Sequence, residues 1–551
     1  MQIKKKILVT CAFPYSNGSI HLGHLLEHIQ ADIWVRYQKM QGNTVFFICS
    51  DDSHGTAITL KSKKEKITPV QLVKKIILEH KKDFKNFNIL HDNYSSTHSI
   101  ENLSFVRKIY FILQKKKLIK KKYIYQFYDT KKNIFLSDRL VQGTCPDCNF
   151  KNQYGDHCDN CGSTYSAIQL INPKSVLSNS IPKIKKSEHI FFDLPKLELV
   201  LKKWIYSGSL QNTVLNKTKE WFNKGLRPWD ISRDKPYFGF KIPGLIDKYF
   251  YVWLDASIGY ISNFKNFCTK NKIKCFNDFW NENTQCELHQ FIGKDIIYFH
   301  TLFWPSILHS INFRKPSKII VHGHVTFNGS KLSKSKGLLI LAKDWINYLD
   351  SDSIRYYYAS NLSSKVEDIE INLYSFREKI NSDIVNKIVN IASRSSSFIH
   401  KYFDGILSSK IEEFNLYKYF VSSSIEIECF LEKKEFKMAI QKILKMADYA
   451  NQYINDTKPW SIDKNKSKSL YKLQQVCSLA INFFRCIMTW LKPIMPNLSI
   501  KVEKFLNIVL NFNTLQNPLL NHKISKFTIL YKRISLKEID VFLHDIKKSY
   551  F

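Results

Sequence analysis

Four cysteines stand in two pairs, Cys145-Pro146-Asp147-Cys148 and Cys158-Asp159-Asn160-Cys161, with nine residues between the pairs. Each Cys-x-x-Cys turn can aim two thiolate sulfurs at one point, and two such turns complete a tetrahedral cage for a zinc ion. The separation is shorter than the commonest finger spacing, but Gly155 and Gly162 supply the tight backbone a knuckle needs. Four sulfurs leave zinc no open position, so one structural Zn2+ is expected on Cys145, Cys148, Cys158 and Cys161. The other eight cysteines are scattered singly among apolar neighbours, the pattern of buried thiols in a reducing compartment.

A second chemistry is carried by Ser19-Ile20-His21-Leu22-Gly23-His24. Histidines three apart at a helix start share one face of its first turn, where orphan N–H groups and the helix dipole favour an anion. Imidazole N–H donors there can hold phosphate oxygens, and Gly23 lets a ligand approach closely. Far downstream, Asn328-Gly329-Ser330-Lys331-Leu332-Ser333-Lys334-Ser335-Lys336-Gly337 is a cationic loop of lysines, glycines and small hydroxyl residues. Such a loop suits a movable clamp on a polyphosphate. Taken singly, the first motif also fits core packing and the second a solvated basic loop.

The elements that must position these groups are readable from periodicity. Residues 5–13 form an apolar run of strand length, Pro14 to Gly18 a turn, Leu22 to Met40 a helix, and Thr44 to Cys49 a second buried strand. This β–turn–helix–β order opens a doubly wound sheet. A further strand at Ile319-Ile320-Val321 lies so far downstream that an insertion is expected, centred on the cysteine-paired stretch 141–165. From about 375 onward glycine becomes rare, and Ile380–Ile399, Ile411–Glu432 and Phe436–Tyr453 show helical periodicity, as in a mostly helical domain. The fold class expected is therefore α/β: a doubly wound Rossmann-type domain with a zinc-knuckle insertion, followed by a mostly α-helical domain. The 551 residues are 44% hydrophobic and 14% aromatic with only 17 Gly and 15 Pro, which excludes a disordered or low-complexity chain. No run approaches the ~18 apolar residues of a membrane span, and the first strand lacks a signal-peptide cleavage site, so no membrane and a cytoplasmic location are expected. The net charge of +35 suits a polyanionic partner such as nucleic acid, although lysine drift in an AT-rich genome would produce a similar excess.

The pair His21-Leu22-Gly23-His24 and Lys331-Leu332-Ser333-Lys334-Ser335 resembles the two signatures of class I aminoacyl-tRNA synthetases. Further blocks resemble the methionyl-tRNA synthetases within that class: Ala12-Phe13-Pro14-Tyr15, Asp51-Asp52-Ser53-His54-Gly55-Thr56, the cysteine knuckle, Trp229-Asp230-Ile231-Ser232-Arg233-Asp234, Tyr251-Val252-Trp253-Leu254-Asp255-Ala256 and Phe291-Ile292-Gly293-Lys294-Asp295. They are collinear and span nearly the whole chain. The resemblance implies activation of L-methionine with ATP, releasing pyrophosphate, and transfer of the aminoacyl group to the terminal adenosine of tRNA(Met), initiator and elongator. It implies catalytic roles for His21, His24, Lys331, Lys334 and Arg233, and ATP contacts from His21, His24, Gly293, Asp295 and Lys334, with Mg2+ accompanying the nucleotide. Methionine would be held by Phe13, Tyr15, Asp52, Trp253, Ala256, Tyr260, Ile296 and His300, Asp52 taking the ammonium and the aromatic rings the thioether sulfur. Phe13 stands where the family usually has leucine, Ser257 where it has proline, and Leu332 where it has methionine.

The same resemblance divides the chain into residues 1–115 and 236–325 as halves of the catalytic domain, 116–235 as the inserted connective domain with the knuckle, 326–380 as the lysine loop and connecting region, and 381–551 as a helical anticodon-binding domain. Asn386, Asn390 and Arg394 recur at helical spacing opposite Ile384, Ile388 and Ile391. By resemblance these three and Trp460 would contact the anticodon, the indole stacking on a base. No strand-rich block follows for a C-terminal tRNA-binding and dimerisation module, so a monomer is expected. The alternative is a zinc-stabilised, non-catalytic tRNA-binding relative of the synthetases, against which the presence of Asp52 and of both histidines and both lysines argues.

Overall fold

A computed structural model describes residues 4–136, 140–155, 158, 160, 161, 163, 165–327, 330–331 and 339–550. Its centre is a five-stranded sheet built from β1 (Lys6–Cys11), β2 (Thr44–Asp51), β3 (Asn93–Ser96), β6 (Glu287–Gly293) and β7 (Lys318–His322). The order is β7-β6-β1-β2-β3, and every pairing is parallel. Ile7 to Cys11 are all buried, as a parallel strand covered on both faces must be. The strand order reverses between β1 and β6, and at such a switch point the carboxyl ends of the strands leave a crevice.

Helix α1 (Leu22–Met40) connects β1 to β2. It is wrapped by the sheet on one side and the helical domain on the other, so even Glu27, His28, Gln30 and Asp32 are buried. A charge in that position needs partners. Asp32 Oδ2 accepts from Arg36 Nε and from Arg355 Nη2, both at 2.7 Å, and the fully buried Arg355 also donates to the Ile494 and Pro493 carbonyls. Burial alone would raise the Asp32 carboxyl, yet the two guanidinium groups hold it below the ordinary carboxylate range. Arg355 belongs to α3 (Ser351–Asn361), so this ion pair fastens the sheet's first helix to the downstream helices.

Between β3 and β6 the chain makes an excursion. Its frame is a long antiparallel ribbon of β4 (Ile119–Asp129) and β5 (Lys183–Phe192). A small three-stranded sheet carrying the cysteine pairs lies between these strands in sequence. The chain then returns through α2 (Val252–Lys270). The C-terminal part includes α4 (Asn390–Phe403), α5 (Phe414–Glu432), α6 (Phe436–Thr457), α7 (Ser467–Leu491) and α8 (Leu536–Tyr550), with a further helix Pro496–Leu506 before α8.

The continuous α-helix expected through 384–395 is interrupted. Asn381–Val389 forms a π-helix that leads into α4. Ile384, Ile388 and Ile391 are nevertheless fully buried, since Ile384 and Ile388, four apart, stay on one side of either helix and Ile391 follows three residues on, where the α-helix resumes. Within the wider turns Asn381 exchanges two hydrogen bonds with the Ile534 backbone, and Asp383 accepts one from Tyr356. The segment after about residue 520 ends in α8, which packs on the helices Ala342–Tyr348 and Leu373–Ile380. There Phe542 of α8 packs 4.9 Å from the Tyr348 ring and 5.8 Å from Trp345, and Tyr374 donates to Asp540 at 3.0 Å.

Candidate active site

A cavity of about 480 Å³ opens at the carboxyl ends of β1, β2 and β6. Beyond β1 and β2 the two strands stay joined: Asp52 N donates to Pro14 O, and Ser16 N to Asp52 O, both at 2.8 Å. This bridge sets Tyr15 beside Asp52 at the cavity wall. Helix α2 contributes Trp253, Ala256, Ser257 and Tyr260, and the turns after β6 contribute Ile296, Phe299 and His300. Phe13 packs 4.5 Å from the Tyr260 ring. Its edge occupies the place a side chain at Gly259 would need, since a Cβ there would fall 2.7 Å from Phe13 Cε2. All eight residues singled out for methionine, and Arg233 besides, therefore line one space.

The polar groups of this space have assignable proton positions. His300 Nδ1–H donates to Ile296 O at 3.1 Å, so Nε2 is the acceptor of the Tyr260 hydroxyl at 3.0 Å. Burial pushes His300 down to about 4, which keeps the ring neutral. Asp52 differs: its Oδ1 is buried without a hydrogen-bond partner among the described residues, and burial, reinforced by the charge of Asp255, pushes the carboxyl well above its ordinary range. An unpartnered carboxylate at the wall of a cavity is a receptor for a cation. Behind it, burial raises Asp255 and lowers His54 to about 3. His54 Nδ1 and Asp255 Oδ2 share a hydrogen bond at 2.5 Å, and His54 Nε2 shares one with His98 Nδ1 at 2.9 Å. Arg233 lies with its guanidinium 3.6 Å from the Tyr251 ring centroid, and its Nη1 donates to Asp230 at 3.2 Å. Tyr237 and Tyr251 also line the cavity and were not anticipated; the Tyr251-Val252-Trp253 block held the signal for one of them.

The phosphate motif is held by its own backbone. His21 is the N-cap of α1: Gly23 N donates to His21 Nδ1 at 3.1 Å, and His21 N to His24 Nδ1 at 3.4 Å. The two rings stack with centroids 3.7 Å apart. Because both Nδ1 atoms accept, each neutral ring carries its proton on Nε2, and both Nε2–H groups are donors at a helix N-terminus. Gly23 is required sterically, for a Cβ would lie 2.9 Å from His21 Cε1. The far end of the lysine loop is tied to this spot, with Leu22 N donating to Ile340 O at 3.1 Å and Ala342 N to Ile20 O at 2.8 Å. Its near end pairs Ser330–Lys331 with Val325–Phe327. Lys334 lies outside the described residues. Gly293 ends β6, and Asp295 in the turn beyond it pairs with His324 at 2.7 Å. At Gly323 a Cβ would fall 2.1 Å from Glu367 O, so only glycine lets the two segments cross.

The sulfurs of Cys145, Cys148, Cys158 and Cys161 all lie within 4.8 Å of one another. Two of the separations are 3.9 Å (Cys145–Cys161) and 3.5 Å (Cys148–Cys158). A tetrahedron of sulfurs around one zinc at about 2.3 Å has edges of about 3.8 Å, so the donor set is compatible with that ion. Backbone N–H groups of Asp147 and Cys148 point at Cys145 Sγ, and that of Cys161 at Cys158 Sγ, the arrangement that steadies thiolates.

Residues 7–396 match the family described as tRNA synthetases class I (M). The chain is 58% identical over 540 residues to methionine–tRNA ligase from Buchnera aphidicola subsp. Acyrthosiphon pisum (strain Tuc7), covering 98% of each chain. It is 56% identical over 541 residues to that of Wigglesworthia glossinidia brevipalpis, again covering 98% of each. The chain belongs to the class I methionyl-tRNA synthetases. A solved structure of Mycobacterium tuberculosis methionyl-tRNA synthetase in complex with methionyl-adenylate shares the fold with a TM-score of 0.80 at 20% identity, covering 96% of this chain and all of that one.

In this methionyl-tRNA synthetase fold the residues expected to read the tRNA do not form one cluster. Arg394 donates to Asn455 at 2.8 Å and sits 4.8 Å from the Trp460 ring centroid, leaving the indole 45% exposed. Asn386 instead accepts from Arg533, and Asn386 and Asn390 line a separate groove with Phe527 to Arg533. The π-turns put Asn386 and Arg394 on different partners, which α-helical spacing alone does not foresee. Among the described residues no helix is long and apolar enough to cross a membrane.

Proposed function

We propose that this chain activates L-methionine with ATP to methionyl-adenylate and pyrophosphate, then transfers methionine to the 3′-terminal adenosine of tRNA(Met). The observation that carries this reading is the unpartnered Asp52 Oδ1 at the wall of an aromatic cavity, on the same sheet edge as the paired His21 and His24. The methionine ammonium pairs with Asp52 and its thioether lies among Phe13, Tyr260 and Trp253, where sulfur–ring contacts are favourable. Its carboxylate oxygen attacks the α-phosphorus in line, the new O–P bond forming as the bond to pyrophosphate breaks. The chain contributes alignment and charge stabilisation. His21 and His24 donate Nε2–H to phosphate oxygens, Lys331 and Lys334 close over the leaving pyrophosphate, and Arg233 completes the positive lining. Gly293 and Asp295 hold the adenosine. Magnesium accompanies ATP and neutralises part of its phosphate charge.

One zinc ion on the four cysteines holds the inserted unit together, within the division of the chain set out above. The full protein should contain one zinc per chain, and Cys158→Ser should lose it together with most of its tRNA charging, checked by metal analysis and aminoacylation. The protein acts as a cytoplasmic monomer. The reading is tested by charging: the full chain with ATP and radiolabelled methionine should load initiator and elongator tRNA(Met). Stacking on a splayed base is worth about 1–3 kcal/mol, so Trp460→Ala should lower kcat/KM for tRNA by about 10- to 100-fold. Methionine activation without tRNA should be unchanged in that variant; equal loss in both assays would contradict separate sites.

A further inference from the structure

A second cavity, of about 560 Å³, lies at the opposite, amino-terminal edge of the sheet. It is bounded by the starts of β6 and β7, by the segment Gly208 to Gln211, by Ser363 and Ser364, and by the turn Glu432 to Lys434 between α5 and α6. Any molecule bound there would touch both the catalytic sheet and the helical domain.

Its polar groups divide into those already paired and those left over. Glu287 accepts from His289 Nε2 at 2.7 Å and pairs with Lys5 at 3.3 Å, and Glu432 pairs with Lys5 at 3.2 Å. Lys318 donates to Gly208 O at 2.5 Å. Among the described residues, three buried or half-buried groups remain beside the exposed Lys433. Gln30, only 1% exposed, has no partner for Oε1. His289, 4% exposed, spends its proton on Glu287, so its Nδ1 is an acceptor, and it too has no partner. Lys434 lies with Nζ 3.9 Å from the Trp34 ring centroid, and among the described residues that ammonium's one hydrogen bond is to Glu432 O at 3.5 Å. Burial pushes that ammonium down to about 8.

Two orphan acceptors call for N–H donors, and one under-coordinated ammonium calls for an anion. A bare anion would leave the two acceptors facing unmatched lone pairs, and a bare cation would be repelled by Lys434. The indole of Trp34 is fully buried between Lys434 and the His289 ring at 4.4 Å, so it offers no free face on which a nucleobase could stack. We propose that this cavity is a second small-molecule site, separate from the reaction, for a zwitterion bearing an ammonium and a carboxylate, a free amino acid being the smallest of that class. The carboxylate meets Lys434, and the ammonium meets Gln30 Oε1 and His289 Nδ1.

The test is equilibrium dialysis of the full zinc-containing chain against each of the twenty amino acids and against inorganic phosphate. The reaction site is filled beforehand with an unreactive methionyl-adenylate analogue. At least one amino acid should bind, one per chain, with Kd of about 1 mM or tighter. Lys434→Met and Gln30→Leu should each weaken it about tenfold or more, while both variants keep methionine-dependent pyrophosphate exchange. Should Lys434→Met fail to fold, Gln30→Leu carries the test alone. No amino-acid binding to the parent chain would overturn the proposal and leave a water-filled cavity. Binding untouched by the variants that fold would place the ligand elsewhere and overturn it equally. Phosphate bound in place of any amino acid, and lost only in Lys434→Met, would mean a simple anion site and refute the zwitterion.

Discussion

An Asp52→Asn enzyme should show a KM for methionine raised by about 10²- to 10³-fold, because one partner of a desolvated ion pair is removed. The amide keeps the shape of the side chain but offers no charge to the substrate ammonium. A pH series separates this effect from general damage. Burial and Asp255 raise the Asp52 pKa in the free protein, so ionising it above the ordinary carboxylate range works against the folded state. A bound ammonium favours the ionised form and reverses that penalty. In the parent enzyme KM should therefore fall as pH rises through the raised Asp52 pKa and level off above it. In Asp52→Asn this acid limb should be missing. An Asn enzyme that retained the limb would show that another group binds the ammonium.

His21→Ala should reduce kcat for methionine-dependent pyrophosphate exchange by about 10²- to 10³-fold, the usual effect of losing one preorganised donor to a developing charge. His21 Nδ1 is fixed on Gly23 N, so the ring proton sits on Nε2 and no tautomer change is needed when the pyrophosphate forms. The same substitution removes an N-cap, worth about 1 kcal/mol, and should shift the melting temperature only slightly. His21→Asn keeps a capping oxygen and an N–H donor, and should recover the melting temperature in full and the rate in part. A rate that followed the melting temperature across the two variants would reduce His21 to a structural cap.

Local pattern made β1, α1 and β2 legible, because each buries an apolar run whose period is set within a few residues. The cysteine knuckle was legible for the same reason: its four ligands are close in sequence as well as in space. The methionine pocket was not. Phe13, Asp52, Trp253 and His300 meet only because three strand ends and one helix converge at the switch point of the sheet, so nothing in their spacing reveals it. Resemblance to a family supplied those residues where periodicity could not. Other features lie beyond both. The π-turns at Asn381–Val389 bury the same isoleucines as an α-helix would, so hydrophobic pattern cannot distinguish them. The Asp255–His54–His98 chain and the Asp32–Arg355 pair join residues that sequence treats as ordinary polar positions. The return of α8 to Trp345 and Tyr348 depends on where a long helical domain ends in space, which no local signal encodes.

Amino-acid-dependent ATP–pyrophosphate exchange, run with all twenty amino acids and no tRNA, tests the central claim most directly. Exchange should appear with methionine and be abolished or severely reduced for every other amino acid, with Asp52→Asn suppressing it at subsaturating methionine. Strong exchange with a different amino acid would contradict the pocket, and no exchange from the folded, zinc-loaded protein would contradict the enzyme.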